Sequence, residues 1–205
     1  LVKSICCRKW DTNGDGELSY AEAAAVTDLS GFSDKPIVAF AELAYFTGLT
    51  TISSFSGCKY LWKISIPSGV MEIGNGAFRN CAALSQINNQ SAQIKRFGNE
   101  AFKNCVSLKT LNGEKMFNIP EGVEELSEYS FDHCDSLEEI YLPSTLQKIN
   151  CGYPFTNCIS LKKITFNPKG FSTGENATID NSGSISKISG LKQNIFIDTK
   201  SLTSA

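Results

Sequence analysis

Apolar residues recur along this chain in one frame that returns about every two dozen positions. The frame reads L-x-x-I-x-I, usually followed by Pro, then V-x-x-I-G-x-x-A-F-x-N-C. It is clearest from Cys58 to Phe78, with Leu61, Ile64, Ile66, Pro67, Val70, Ile73, Gly74 and Ala77 at the expected places. Phe-x-x-Cys occurs five times, as Phe55/Cys58, Phe78/Cys81, Phe102/Cys105, Phe131/Cys134 and Phe155/Cys158. The steps from Cys to Cys are 23, 24, 29 and 24 residues. A partial unit with Phe46, Leu49, Ile52 and Phe55 precedes the first copy. A fifth unit, with Leu161, Ile164, Phe166 and Pro168, fades into a Ser/Gly/Asn-rich stretch at 172–190.

Within each unit, the alternation of apolar and polar residues in I-x-I predicts a short strand with one buried face. Pro67, Pro120 and Pro143 lack the N–H a ladder needs, so they end the strand. The rest of the unit turns the chain back, with Gly at a bend and Ala and Phe filling the space between turns. One such unit cannot bury its own apolar side, so the units must stack. Ile195, Ile197 and Leu202 suggest a closing strand near the end of the chain.

Eight cysteines raise the question of disulfides or metal. Stacked equivalents lie about 5 Å apart, within disulfide reach, but their Cβ vectors run parallel and five cannot pair off. The repeat cysteines therefore read as buried thiols acting as small hydrophobes, with occasional pairing as the alternative. Zinc is disfavoured, because C-x-x-C is absent and His133 is the single His. Cys6, Cys7 and Cys151 lie outside the ladder.

The amino-terminal segment carries different chemistry. Asp11, Asn13, Asp15, Gly16, Glu17, Ser19 and Glu22 fit D-x-[DN]-x-[DN]-G-x5-E at every position. Asp11, Asn13 and Asp15 offer side-chain oxygens, and Gly16 allows the sharp turn. Glu17 offers its carbonyl, Ser19 acts directly or through water, and Glu22 can give two oxygens, which is the set calcium takes. Trp10 before the loop, and Ala23, Val26 and Leu29 after it, suit flanking helices.

Charge excludes some classes. With 19 basic and 21 acidic residues the net charge is -2, and no basic run could neutralise phosphates. No apolar run reaches the roughly 20 residues that span a bilayer. The chain begins without Met and without a signal peptide, so a removed leader or a cloning boundary is expected before Leu1. Nucleophile-elbow, P-loop and H-E-x-x-H motifs are absent. The neighbouring carboxylates Glu124/Glu125 and Glu138/Glu139 point to opposite faces of a strand, as adjacent residues do. The chain is not expected to be an enzyme. Asn89 and Asn176 stand in N-x-S/T form.

C-x-x-L-x-x-I-x-I-P-x-x-V-x-x-I-G-x-x-A-F resembles the BspA-type leucine-rich repeat, a family of bacterial surface proteins common in Bacteroides-like bacteria of gut and mouth. The resemblance spans roughly residues 43–168. It departs at Asn88 and Asn89, where the I-P step is missing, and at about five extra residues around 113–118. It implies an α/β repeat: a right-handed leucine-rich-repeat solenoid with parallel strands on the concave face. The amino-terminal loop resembles an EF-hand or dockerin-type calcium loop. Those families use two loops, and one is present here, which argues against cohesin docking. The expected organisation is an EF-hand-like helical cap at 1–34, a repeat domain at 35–205 and a carboxy-terminal cap at 169–205.

The resemblance further implies a secreted or cell-surface protein that recognises or adheres to a protein ligand, host extracellular matrix proteins included. Such solenoids bind along the strand face. The outward positions there are Lys63, Ser65, Gln86, Asn88, Thr110, Asn112, Glu139, Tyr141, Lys163 and Thr165, with Trp62 beside them as a plausible anchor. The alternative is a spacer module of a larger surface protein or dockerin-like assembly.

Overall fold

Each I-x-I frame becomes a short parallel strand that pairs with the same frame one turn later. The computed structural model describes residues 1–89, 94–111, 114, 117–146, 148–149 and 154–166. The expectations for Asn112, Cys151, Asn176 and 169–205 lie outside the described residues. Twelve strands are described. β1 (Ala39–Phe40), β3 (Lys63–Ile66), β5 (Gln86–Asn89) and β7 (Thr110–Leu111) form a first sheet in that order. β2 (Thr51–Ile52), β4 (Glu72–Ile73), β6 (Arg96–Phe97), β9 (Glu125–Leu126) and β11 (Lys148–Ile149) form a second. β8 (Phe117–Asn118), β10 (Glu139–Leu142) and β12 (Lys163–Phe166) form a third.

Every described strand pair is parallel, and the register aligns like with like. Ile64 lies opposite Ile87, and Ile87 opposite Leu111. Ile52, Ile73, Phe97 and Leu126 align in the second sheet. These side chains are buried in one continuous core that runs from Ile5 to Ile164. The architecture is the expected leucine-rich-repeat solenoid.

The return segment is held by Phe and Cys together. Phe32, Phe55, Phe78, Phe102, Phe131 and Phe155 form a column of rings, with successive centroids 5.4, 5.5, 5.4, 5.2 and 5.5 Å apart. The column begins at Phe32, one turn before the partial unit visible in the sequence. Each repeat thiol donates to the Phe carbonyl one turn earlier: Cys58 to Phe32, Cys81 to Phe55, Cys105 to Phe78, Cys134 to Phe102 and Cys158 to Phe131, at 3.0–3.2 Å. The same carbonyls also accept the N–H three residues on in their own turn. The residue before each Cys is left-handed: Gly57, Asn80, Asn104, His133 and Asn157 have φ between 56° and 74°. Small polar residues and Gly tolerate that region best, which explains the recurrent Asn.

The 29-residue step changes the strand face. In the third unit Leu111 pairs back to Ile87, while Phe117 pairs forward to Ile140. The extra residues let two strand segments share one turn. The single continuous strand face expected from the repeat is therefore divided into two sheets.

At the amino-terminal end, α1 (Val2–Trp10) and α2 (Tyr20–Ala25) pack on the first turn. Ile5, Cys6, Ala23, Val26 and Leu29 are buried there. The Trp10 ring lies 6.3 Å from Phe32 and 5.8 Å from Phe46. Ser19 caps α2 through a reciprocal bond with Glu22, the capping box. A 3-10 helix, Ala41–Tyr45, follows β1 and packs against β3.

The five ladder thiols are free and fully buried. Burial pushes Cys158 up to about 12 and holds Cys105 and Cys134 well above the ordinary thiol range. Brief alkylation at pH 8, read by mass spectrometry, should label the half-buried Cys7 in the native protein. Cys58, Cys81, Cys105, Cys134 and Cys158 should label only after denaturant is added; native labelling of any of them would contradict the buried ladder. Removing one ring should cost about 3–5 kcal/mol, so Phe102→Ala should lower the urea midpoint sharply.

Candidate functional site

Beside the first sheet stands an exposed tryptophan. Trp62 precedes β3 and is 43% exposed. Its N–H donates to the Val38 carbonyl at 3.0 Å, which sets Val38, itself exposed, beside it. Tyr60 is exposed two residues earlier, across the buried Leu61. The Lys63 ammonium lies 5.8 Å from the Trp62 ring centroid, a cation–π distance. Val38 and Tyr60 were not singled out in the sequence. Nothing in their repeat position distinguishes them, and only the fold reveals their exposure.

The expected binding residues fall into two groups. Lys63, Gln86 and Thr110 stand side by side on β3, β5 and β7, all half-buried. Asn88, half-buried, lies opposite Ser65. Ser65 itself is 5% exposed, so the expectation that it faces solvent is corrected. The 3-10 helix that continues from β1 packs against β3. Glu139, Tyr141, Lys163 and Thr165 form the second group, on the third sheet. Glu139 lies opposite Lys163 and Tyr141 opposite Thr165.

The amino-terminal loop is closed by the residues of its own motif. Asp11 accepts from the Gly14 N–H at 2.6 Å and the Gly16 N–H at 2.8 Å. Asn13 Oδ1 accepts from the Asp15 N–H, and Asp15 Oδ1 from the Glu17 N–H. Gly14 and Gly16 take φ of 75° and 83°, which side chains rarely adopt. Glu22 joins the two ends of the loop. One carboxylate oxygen accepts from the N–H and hydroxyl of Thr12 and the Asn13 N–H, the other from the N–H and hydroxyl of Ser19. Lys3 pairs with Glu17 and ties α1 to the loop. The Cys7 thiol donates to the Gly16 carbonyl at 3.4 Å. Among the described residues, no three Asp, Glu, His or Cys side chains converge as metal ligands. The carboxylates are turned instead to the N–H groups of the loop.

Those hydrogen bonds, from Ser19 first and then Thr12, hold the Glu22 carboxyl down at about 2, against an ordinary 4.5. A depressed value in the folded state stabilises the loop above pH 4.5, and that stability is lost as pH falls towards 2.

The model of the BspA type leucine rich repeat region matches six copies, over residues 40–117 and 114–204. Among solved structures, a leucine-rich repeat protein from Bacteroides ovatus is 31% identical, over 58% of this chain and 31% of that one, with a TM-score of 0.47. The T. pallidum leucine rich repeat protein is 25% identical, over 63% of each chain, with a TM-score of 0.47. A leucine-rich repeat protein from Eubacterium ventriosum is 19% identical, over 55% of this chain and 33% of that one, with a TM-score of 0.43. The chain thus spans less than two thirds of the length of each. No curated protein matches it. Among the described residues no helix is long and apolar enough to cross a membrane.

The Glu22 geometry carries its own prediction. The melting temperature, followed from pH 5 to pH 2, should fall through the window between 4.5 and 2. Glu22→Gln should flatten that fall; an unchanged profile in the variant would remove Glu22 from the account.

Proposed function

The chain belongs to the BspA-type leucine-rich repeat family, and we propose that it serves as a protein-recognition module at a bacterial cell surface. The partner docks on the first sheet around Trp62, Lys63, Gln86, Asn88 and Thr110, rimmed by Val38 and Tyr60. Glu139, Tyr141, Lys163 and Thr165 on the third sheet extend the contact. A protein ligand, host extracellular matrix proteins included, is the partner class.

The observation that carries this reading is that Trp62 breaks its own column. The equivalent positions in the stack are Val38, Ser85 and Lys109, and further on Glu138 and Lys162. A solvated column needs no indole. An exposed Trp with a cation on its ring is the kind of residue that dominates protein interfaces. A spacer module would have no use for it.

We propose further that the amino-terminal loop holds calcium as a structural ion, through side-chain oxygens of Asp11, Asn13, Asp15, Ser19 and Glu22 and the carbonyl of Glu17. Its support is the twelve-position spacing and the donor chemistry, all oxygen with three carboxylates. The left-handed Gly16 and the closure of the loop on Asp11 add to it. Binding there would couple the ion to the packing of α1 and α2 on the first turn.

Two measurements check these readings. Trp62→Ala should weaken retention of the partner, captured from matrix or surface protein fractions, by about tenfold or more, the loss of a 1.4 kcal/mol anchor. Unchanged retention would favour the spacer. Calcium at a hundredfold excess over its Kd should add about 2.7 kcal/mol to stability, seen as a higher melting temperature. Asp11→Ala should abolish that rise, and no response to calcium in the native chain sinks the proposal.

A further inference from the structure

Charge is sorted along the strand side of the stack. Up to the step of 29 residues, that side is made by residues 35–40, 58–66, 81–89 and 105–111. Each segment runs from the repeat Cys, or from Lys35 in its place, through the strand. Together they carry Lys35, Lys59, Lys63 and Lys109 and no Asp or Glu. The whole chain has 21 acidic residues against 19 basic ones, so the excess of cations is local. Lys35, Lys59 and Lys109 are exposed, and Lys63 is half-buried. Among the described residues none of the four pairs with a carboxylate. Asp34, Glu42 and Glu114 stand just outside these segments, and the Asn118 amide donates to Glu114.

The two turns beyond the step balance their charge. Residues 134–142 carry Asp135, Glu138 and Glu139, and residues 158–166 carry Lys162 and Lys163. Lys162 bonds Glu138 at 3.1 Å, and Glu139 lies opposite Lys163. The change from unpaired cations to paired charges falls where the first sheet ends and the third begins. Like charges on neighbouring turns repel, so the four lysines cost the fold rather than support it. Val38, Tyr60 and Trp62 are exposed among them. The strand side before the step is therefore an apolar patch set in a field of one sign.

We propose that the partner presents to this face an acidic segment of protein chain, with apolar side chains between its carboxylates. The proposal rests on the reading of the Trp62 face as a docking surface and names the chemistry of what docks there. At strand spacing the lysines span about 15 Å, which an extended segment of about five residues covers. Its carboxylates meet Lys59, Lys63 and Lys109, and its apolar side chains cover Val38, Tyr60 and Trp62. Uncompensated charge of one sign steers a partner of the opposite sign and rejects one of the same sign. A sulfated or phosphorylated polymer would use the lysines but leave Val38 and Tyr60 against water.

The test selects short peptides from a random displayed library on the full chain. The selected set should be enriched in Asp and Glu interspersed with aromatic or branched apolar residues. A synthetic copy of the most enriched peptide should lose about tenfold in affinity between about 0.05 M and about 0.5 M salt. The triple variant Lys59→Gln, Lys63→Gln, Lys109→Gln should bind it about tenfold more weakly and flatten that salt dependence. Lys95→Gln, on the second sheet where Lys95 pairs with Glu124, should change neither. The triple variant should melt no lower than the native chain; a lower melting temperature would assign the lysines to the fold and overturn the proposal. Absence of enrichment, or unchanged affinity in the triple variant, would also overturn it. So would heparin, a sulfated polysaccharide, binding through the same lysines more tightly than the peptide. Neutral peptides that are selected, and then lost in Trp62→Ala, would leave the docking reading standing and remove the acidic partner alone.

Discussion

The structure depends on one carbonyl used twice. In the turns of Phe32, Phe55, Phe78, Phe102 and Phe131 the Phe carbonyl accepts the N–H three residues on and, from the next turn, a cysteine thiol. The first bond closes the turn locally. The second joins it to its neighbour. A buried carbonyl with an unmet lone pair is unfavourable, and cysteine is the small apolar residue that can meet it without leaving the core. The column of rings stands directly behind, so aromatic packing and hydrogen bonding fix the same spacing. The strands then fall into register because the turns already have.

The two sides of the stack treat charge differently. On the second sheet, Arg96 lies between Glu72 and Glu125, at 2.9 and 3.5 Å, and Lys95 pairs with Glu124. Those charges satisfy one another along the stack. On the first sheet, Lys63, Gln86 and Thr110 sit beside an exposed indole, and among the described residues Lys63 contacts that ring rather than a carboxylate. A surface whose charges already pair with each other has less to offer a partner. This contrast separates the scaffold side from the side proposed to bind.

Much of this was legible because the frame repeats. The strand positions, the core residues and the burial of the cysteines follow from period and alternation alone. The hydrogen-bonding role of the thiols does not, since it depends on which carbonyl of the preceding turn lies within reach. Phe32 escaped notice because Lys35 replaces the Cys that marks the later copies. Ser65 reads as outward by alternation, and only the coordinates show that it is buried. The step of 29 residues announced an insertion without saying that it would divide the sheet. In the proposed calcium loop the spacing was plain, while the bridging bonds of Glu22 needed coordinates.

The substitution at Lys35 gives the stack a direction. Its N–H still closes the Phe32 turn at 3.0 Å, but it brings no thiol, and no earlier Phe of the column stands ready to receive one. The turns of Phe55, Phe78, Phe102 and Phe131 each carry both a donor for the turn behind and an acceptor for the turn ahead. The first turn carries the acceptor alone. The array behaves like a polymer with a blocked starting end: whole units can be inserted or deleted after it without altering any local bond, whereas lengthening it ahead of Phe32 would require a new cysteine at 35 and displacement of the helical cap.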